Sequence, residues 1–336
     1  MSSSYINYYK KFSHIYIEKE IIDHPNAKNI LLNFNKSKII IIDKYTDIFH
    51  RKNQDFCEQK KSQKLILAKK KYDFFYKGSS LCENYGIEKF YYSNLIMNCL
   101  YNCSYCYLQG MYNSSNVIIF VNIEDYFNTL DSIYSQNQGK MLIALSYESD
   151  LLAFDNITKY VGMCFEYIAN KKDILIEIKT KYNEFLYNDE MIPENVIFAW
   201  SLLPQKLIDK YETYTPSLKK RIKAINTAIE NNAKVRLSIE PVISVDDYKY
   251  IYTEFLDYLR DNINIEKIYD INIGAFRMSK IHYNRIKKRD PYNYIFSLKV
   301  LQKSSMIEDQ NSNKIIEFIK EYLKEYYDED KIYIYE

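Results

Sequence analysis

From Phe90 onward the chain repeats one pattern six times: a largely apolar run of strand length, then a stretch with helical spacing. The runs are Phe90–Ile96, Met141–Tyr147, Ile174–Thr180, Val196–Leu203, Val235–Val242 and Ile268–Phe276. Asn122–Tyr134, Asp155–Asn170, Pro216–Asn232 and Val245–Asp261 read as helices between them. Near-continuous apolar strands alternating with helices mean a parallel sheet covered by helices. Six units are too few to close an eight-fold barrel. The expectation is therefore an open, partial barrel, with ligands at the carboxyl ends of its strands. Asn122 before Asp125, Asp155 before Thr158, and Thr215-Pro216 look like helix starts, the last as a cap followed by Pro at the first helical position. Val117–Val121 reads as a further short strand outside the alternation.

The segment before this rhythm is mixed and basic. Ile30–Phe34 and Ser37–Ile42 read as short strands, and the lysines around Leu65-Ile66-Leu67-Ala68 read as a solvated face. The expected division is an N-terminal α/β extension over 1–85, the partial barrel over 86–290 and a C-terminal extension over 291–336. The 336 residues suffice for a barrel-sized core. Hydrophobic residues at 47% and charged residues at 27% are those of a globular protein. The 36 tyrosines, against six glycines, are read as compositional bias and mostly structural. A net charge of +2 decides nothing about nucleic acid, so local clusters must. The first residues have no apolar h-region, and no apolar run approaches the ~20 residues of a membrane span. Neither a G-x-G-x-x-G nor a G-x4-G-K-[ST] phosphate loop is present.

Directly after the first strand comes Cys99-Leu100-Tyr101-Asn102-Cys103-Ser104-Tyr105-Cys106, a C-x3-C-x2-C run. Iron–sulfur clusters are held by cysteine thiolates, four for a cluster that only carries electrons. Cys57, Cys82 and Cys164 are scattered, so the local run stops at three. A [4Fe-4S] cluster held by three thiolates keeps one iron for an outside chelator. S-adenosylmethionine can chelate it through its amino and carboxylate groups, and its reductive cleavage gives a carbon radical. Zinc would need a fourth ligand, and neither a second C-x2-C nor an H-x3-H pair exists. A disulfide framework does not suit a long chain with six cysteines and no secretory start. Reduced cysteines and an oxygen-sensitive cluster point to the cytoplasm.

The stretch from Tyr91 through Cys99 to Cys106-Tyr107-Leu108-Gln109-Gly110-Met111-Tyr112 resembles the spore photoproduct lyase family of radical S-adenosylmethionine enzymes. Gln54–Lys60, Lys64–Ala68, Thr215–Ile222 and Gly274–Met278 extend the resemblance over most of the chain. It implies a partial (β/α)6 TIM-type barrel, a [4Fe-4S] cluster on Cys99, Cys103 and Cys106, and S-adenosylmethionine. The implied substrate is DNA containing thymine dimers in which a methyl group of one base is bonded to the ring of the next. The implied reaction is a carbon–carbon lyase reaction, fed by an electron donor such as flavodoxin or ferredoxin, in a monomer without a membrane partner. By the same resemblance Ser149, Asp150, Lys181 and Ser201 seat the cofactor, and Tyr105 and Tyr107 relay the radical.

One position departs from the family. Where it carries a hydrogen-donating cysteine, three residues before the Asp of its Ser-Asp pair, this chain has Tyr147. Three accounts stay open: Tyr147 is the donor, Cys164 reaches in, or the protein is a paralogue with a non-DNA substrate. The basic segment Arg277–Arg289, interleaved with His282 and Tyr283, reads equally as a phosphate-tracking surface and as a solvated helix face. The family's DNA-contacting C-terminal hairpin is not visible in the acidic end Tyr326–Tyr333. A non-catalytic, metal-stapled nucleic-acid-binding protein is the remaining alternative.

Overall fold

The computed structural model describes residues 12–78, 83–137, 139–145, 147–188 and 191–335. Cys82 lies outside the described residues.

Six parallel strands form the expected open barrel in sequential order: Lys89–Ser93, Met141–Ala144, Ile174–Thr180, Val196–Ser201, Lys234–Val242 and Asp270–Ala275. The antiparallel strand Phe75–Lys77 borders the first, and Ile332–Tyr335 adds a parallel strand beside the sixth. The acidic end thus closes in a strand of the barrel sheet. Ile332 and Ile334 make it a half-buried edge, packed against the main core.

The third, fifth and sixth strands are less apolar than their runs suggest. Glu177 and Lys179 alternate with Ile176 and Ile178, while Arg236, Ser238 and Glu240 alternate with Val235, Leu237 and Ile239. The isoleucines, valine and leucine are all buried in the main core. Successive strand residues face opposite ways, so the polar set faces inside the barrel. There Glu177, Lys179, Glu240 and Asn272 line a cavity.

The helices between these strands include Ile123–Gln136, Leu151–Thr158, Tyr160–Ile168, Gln205–Tyr211, Leu218–Glu230 and Tyr248–Asn262. The single helix expected over Asp155–Asn170 is two, broken at Lys159, whose φ is 60°. Its first half starts earlier, with Asp150 as N-cap accepting from the Ala153 amide at 3.2 Å. Asp155 caps the second half across the break, accepting from the Val161 amide at 2.9 Å. The Thr215-Pro216 cap is also corrected. Ser217 is the N-cap, and the Thr215 hydroxyl instead donates to the Glu212 carbonyl at 2.9 Å.

The expected first run, Phe90–Ile96, is divided between two sheets. Lys89–Ser93 stays in the barrel, while Ile96–Met97 pairs antiparallel with Val117–Phe120. Val117–Phe120 in turn pairs with Leu65–Ala68 in a second sheet, together with His14–Glu18 and Lys38–Ile42. This explains the extra strand: apolar periodicity reports burial but not which sheet is joined. Ile30–Phe34 is corrected from strand to the end of the helix Pro25–Leu31 and the turn after it.

The segment Arg277–Arg289 is a short strand, Arg277–Ser279, followed by the helix Lys280–Arg289. The strand pairs with a hairpin, Val300–Lys303 and Met306–Asp309, that the sequence did not betray. Ser304 takes its left-handed turn position (φ 53°), a place where glycine is the expected signal. Among the described residues no helix is long and apolar enough to cross a membrane.

Candidate active site

The cysteine loop is clamped from three sides. The N-terminal region grips its start: Lys60 Nζ and Gln63 Nε2 both donate to the Cys99 carbonyl, at 2.5 and 3.1 Å. The barrel grips its middle, where Asn102 and Cys103 pair antiparallel with Thr213 and Glu212, and the Ser104 amide donates to the Tyr211 carbonyl at 2.7 Å. The helix Lys280–Arg289 grips its end. Arg289 donates to the Gln109 and Tyr112 carbonyls at 2.5 and 2.6 Å and to Asn113 Oδ1 at 2.9 Å. Gly110 permits that approach, because a Cβ there would lie 2.4 Å from the His282 carbonyl oxygen. Arg289 therefore spends its guanidinium on the cysteine loop, which removes it from the phosphate-tracking set.

Cys99, Cys103 and Cys106 line one cavity of about 330 Å³ at the carboxyl ends of the barrel strands. Tyr105, Tyr107, Tyr147, Ser149, Asp150, Lys181 and Ser201 line the same cavity. Residues up to 102 positions apart in sequence are thus gathered around one space. Cys164 does not line it and is buried in the helix Tyr160–Ile168.

Burial pushes the Cys99 thiol up to about 11, against the opposing pull of Lys60, and it raises Cys103 and Cys106 as well. Buried thiols of this kind ionise only when a metal takes the sulfur. Among the described residues no three His, Cys, Asp or Glu side chains close on a point that could hold a single metal ion. Three thiol donors gathered on one cavity are the soft donor set that a [4Fe-4S] cluster takes.

The cofactor-side residues divide by what already occupies them. Asp150 accepts from the Thr180 hydroxyl and the Lys181 amide, both at 2.7 Å, as well as from its helix cap. It ties the second strand's end to the third. The Ser149 hydroxyl is buried with no partner among the described residues, as expected of a group that a ligand completes. Lys181 Nζ lies 3.9 Å from Glu212 Oε1. Burial lowers the Lys181 ammonium, but Glu212 and Cys103 outweigh it and hold the group above its ordinary value.

Tyr105 donates to Glu212, whose other oxygen pairs with Arg221. Arg221 is 0% exposed and also donates to the Ser201 carbonyl at 2.9 Å. Burial alone would raise Glu212, but Arg221 and Lys181 hold it below the usual carboxylate range. Tyr107 has a different setting. Its hydroxyl donates to the Tyr147 carbonyl at 2.9 Å, and its ring lies 6.3 Å from that of Tyr147. Tyr147 is 40% exposed and packs 4.6 Å from the Tyr92 ring.

The sequence reading missed a charged wall in the cavity. Lys179 pairs with Glu240, to which Asn272 Nδ2 donates at 3.3 Å. Gly274 leaves room for that carboxylate, since a Cβ there would stand 3.0 Å from Glu240 Cγ. The alternation of polar residues along these strands was the available signal.

A family model described as spore photoproduct lyase matches residues 11–335. A spore photoproduct lyase mutant solved with bound AdoMet and dinucleoside spore photoproduct has a TM-score of 0.78 at 16% identity, covering 97% of this chain and 98% of that one. A spore photoproduct lyase complexed with dinucleoside spore photoproduct has a TM-score of 0.77 at 17% identity, with the same coverage. At this identity the likeness shows a shared fold. No curated protein sequence matches the chain.

Proposed function

Because the chain belongs to the spore photoproduct lyase family, we propose that it is a radical S-adenosylmethionine lyase that restores two thymines from the methylene-bridged dimer in DNA. The observation that carries this reading is the convergence of Cys99, Cys103 and Cys106 with Ser149, Lys181 and Ser201 on one cavity. Bound on the cluster, S-adenosylmethionine supplies hydrogen abstraction from carbon once an electron is delivered. Flavodoxin or ferredoxin is the class of electron donor. The enzyme works as a cytoplasmic monomer, with the chemistry in residues 86–290, flanked by extensions over 1–85 and 291–336.

In this reading Ser149, Ser201 and Lys181 hold the polar groups of the cofactor, and Lys181 supplies a cation for its carboxylate. Asp150 acts one step behind, positioning Lys181 through its backbone amide. Tyr107 and Tyr147 return hydrogen: Tyr147 is the cavity-facing phenol, and Tyr107 is joined to its backbone. Tyr105 orders the cysteine loop through Glu212 and takes no direct part in the transfer.

A second reading is favoured by one observation. The Lys179–Glu240 pair and Tyr147 give the cavity charged and phenolic groups suited to a paralogue with a non-DNA substrate. Anaerobic reconstitution followed by incubation with dinucleoside spore photoproduct, S-adenosylmethionine and dithionite separates the two. Thymidine recovered by chromatography supports repair. Release of 5'-deoxyadenosine without thymidine assigns the cavity to another substrate.

A further inference from the structure

Lys60 lies in the helix Phe56–Lys61, outside the barrel and outside the set of residues that line the main cavity. It is 7% exposed, yet it carries an ammonium. Among the described residues no carboxylate pairs with it; burial lowers its ammonium, and the ionisable groups that oppose this are Cys99, Cys106 and Cys103. It donates to the Cys99 carbonyl at 2.5 Å. A buried cation without a counter-ion costs several kcal/mol, on the order of what breaking a buried pair costs. Such a residue persists where an anion completes it.

The three thiols provide that anion. Three thiolates around a four-iron cluster carry net negative charge, and one-electron reduction adds to it. We propose that Lys60 is the built-in counter-charge of the iron–sulfur cluster and sets the potential at which the cluster accepts its electron. It is a positioning residue, acting through the cluster on the cofactor. Net charge and hydrogen bonding around the sulfurs are established levers on such potentials. The placement also gives the N-terminal region a task. The helix is pinned by Asp55, which accepts from the Glu58 amide at 2.9 Å. Gln63 reinforces the same carbonyl and donates to the Ser115 carbonyl at 2.5 Å. The cation is therefore held by an element that does not depend on the barrel strands.

This inference rests on the cluster reading of Cys99, Cys103 and Cys106. Lys60→Met, Lys60→Gln and Lys60→Arg holoenzymes, reconstituted anaerobically, are compared with the parent by potentiometric titration followed by electron paramagnetic resonance, with iron and sulfide content measured alongside. Lys60→Arg is expected to titrate with the parent. Lys60→Met and Lys60→Gln are expected at more negative potential, with a severalfold smaller fraction of clusters reduced at the parent's midpoint. Loss of the cluster in both neutral variants and its retention in Lys60→Arg supports the same conclusion. Identical midpoints in parent and neutral variants overturn it, as does loss of the cluster in Lys60→Arg as well, which would assign the site to packing alone. A parent that takes up no iron and sulfide would instead overturn the underlying cluster reading.

Discussion

Tyr105 and Tyr107 stand one residue either side of Cys106, and their surroundings could hardly differ more. Tyr105 is locked into Glu212 and Arg221, a network with no exposed side-chain surface on either charged partner. Tyr107 reaches Tyr147 and stacks 6.2 Å from His282, in an aromatic row open to the cavity mouth. Symmetry in sequence is thus asymmetry in chemistry. Both phenols are half-buried and line the cavity, but the Tyr105 hydroxyl is committed to a buried carboxylate, whereas Tyr107 reaches a backbone carbonyl among partly exposed rings. The family resemblance implies both tyrosines as a relay; the proposed function divides the labour between them.

The largest effect belongs to the locked side. Arg221→Met leaves buried Glu212 with Lys181, 3.9 Å away, as its remaining ion partner, and a broken buried pair costs about 3–5 kcal/mol. Anaerobic thermal unfolding should show that loss together with poor cluster retention, because Glu212 is paired to Cys103 through the backbone. An unchanged melting midpoint would mean that the network holds nothing. Tyr105→Phe removes one hydrogen bond to a charged acceptor, a loss of about 2 kcal/mol in the same assay, while hydrogen return per turnover stays as in the parent. On the open side the expectation reverses. Tyr147→Phe and Tyr107→Phe should leave stability near the parent's but lower product formation at least about tenfold, equivalent to about 1.4 kcal/mol of barrier. They should also change solvent deuterium incorporation into the recovered thymines. Normal product formation in Tyr147→Phe would remove that residue from hydrogen return.

The smallest effect is a pH dependence. Glu212 has a folded value below its unfolded one, so its stabilisation is complete above the unfolded value and disappears as pH falls through the folded value. Burial holds Asp150 and Asp155 above the usual range, and they act with the opposite sign. The difference in melting midpoint between parent and Glu212→Gln isolates the first contribution. It should shrink towards acid, and a difference that is flat across the acid range would contradict the assignment.

Much of this was legible in the chain. The cysteine spacing announced the reaction centre, and six apolar runs announced the barrel that carries it. Ser149, Lys181 and Ser201 were named by the family resemblance, and they line the cavity at the strand ends, where such sheets bind ligands. What escaped has physical reasons. Phe90–Ile96 changes sheets without a break in apolarity, because both sheets bury their strands. The polar members of Ile174–Thr180 and Lys234–Val242 face a cavity that only the closed fold creates. The hairpin turn at Ser304 uses a residue whose side chain gives no sign of positive φ. Lys60 sat in a lysine-rich stretch that reads as solvated, and only tertiary packing buries Lys60 and Lys70 of the series. Glu212 and Arg221 meet nine residues apart across a loop, a spacing with no periodic signature.

The most direct measurement is the spectral response of the reduced, reconstituted cluster to S-adenosylmethionine, followed by electron paramagnetic resonance. With only Cys99, Cys103 and Cys106 as protein ligands, the signal should shift on addition of the cofactor, and S-adenosylhomocysteine, which has no sulfonium to cleave, should yield no deoxyadenosine. A spectrum indifferent to S-adenosylmethionine, from a fully loaded and reduced cluster, would show that the iron has no place for it and would contradict the account.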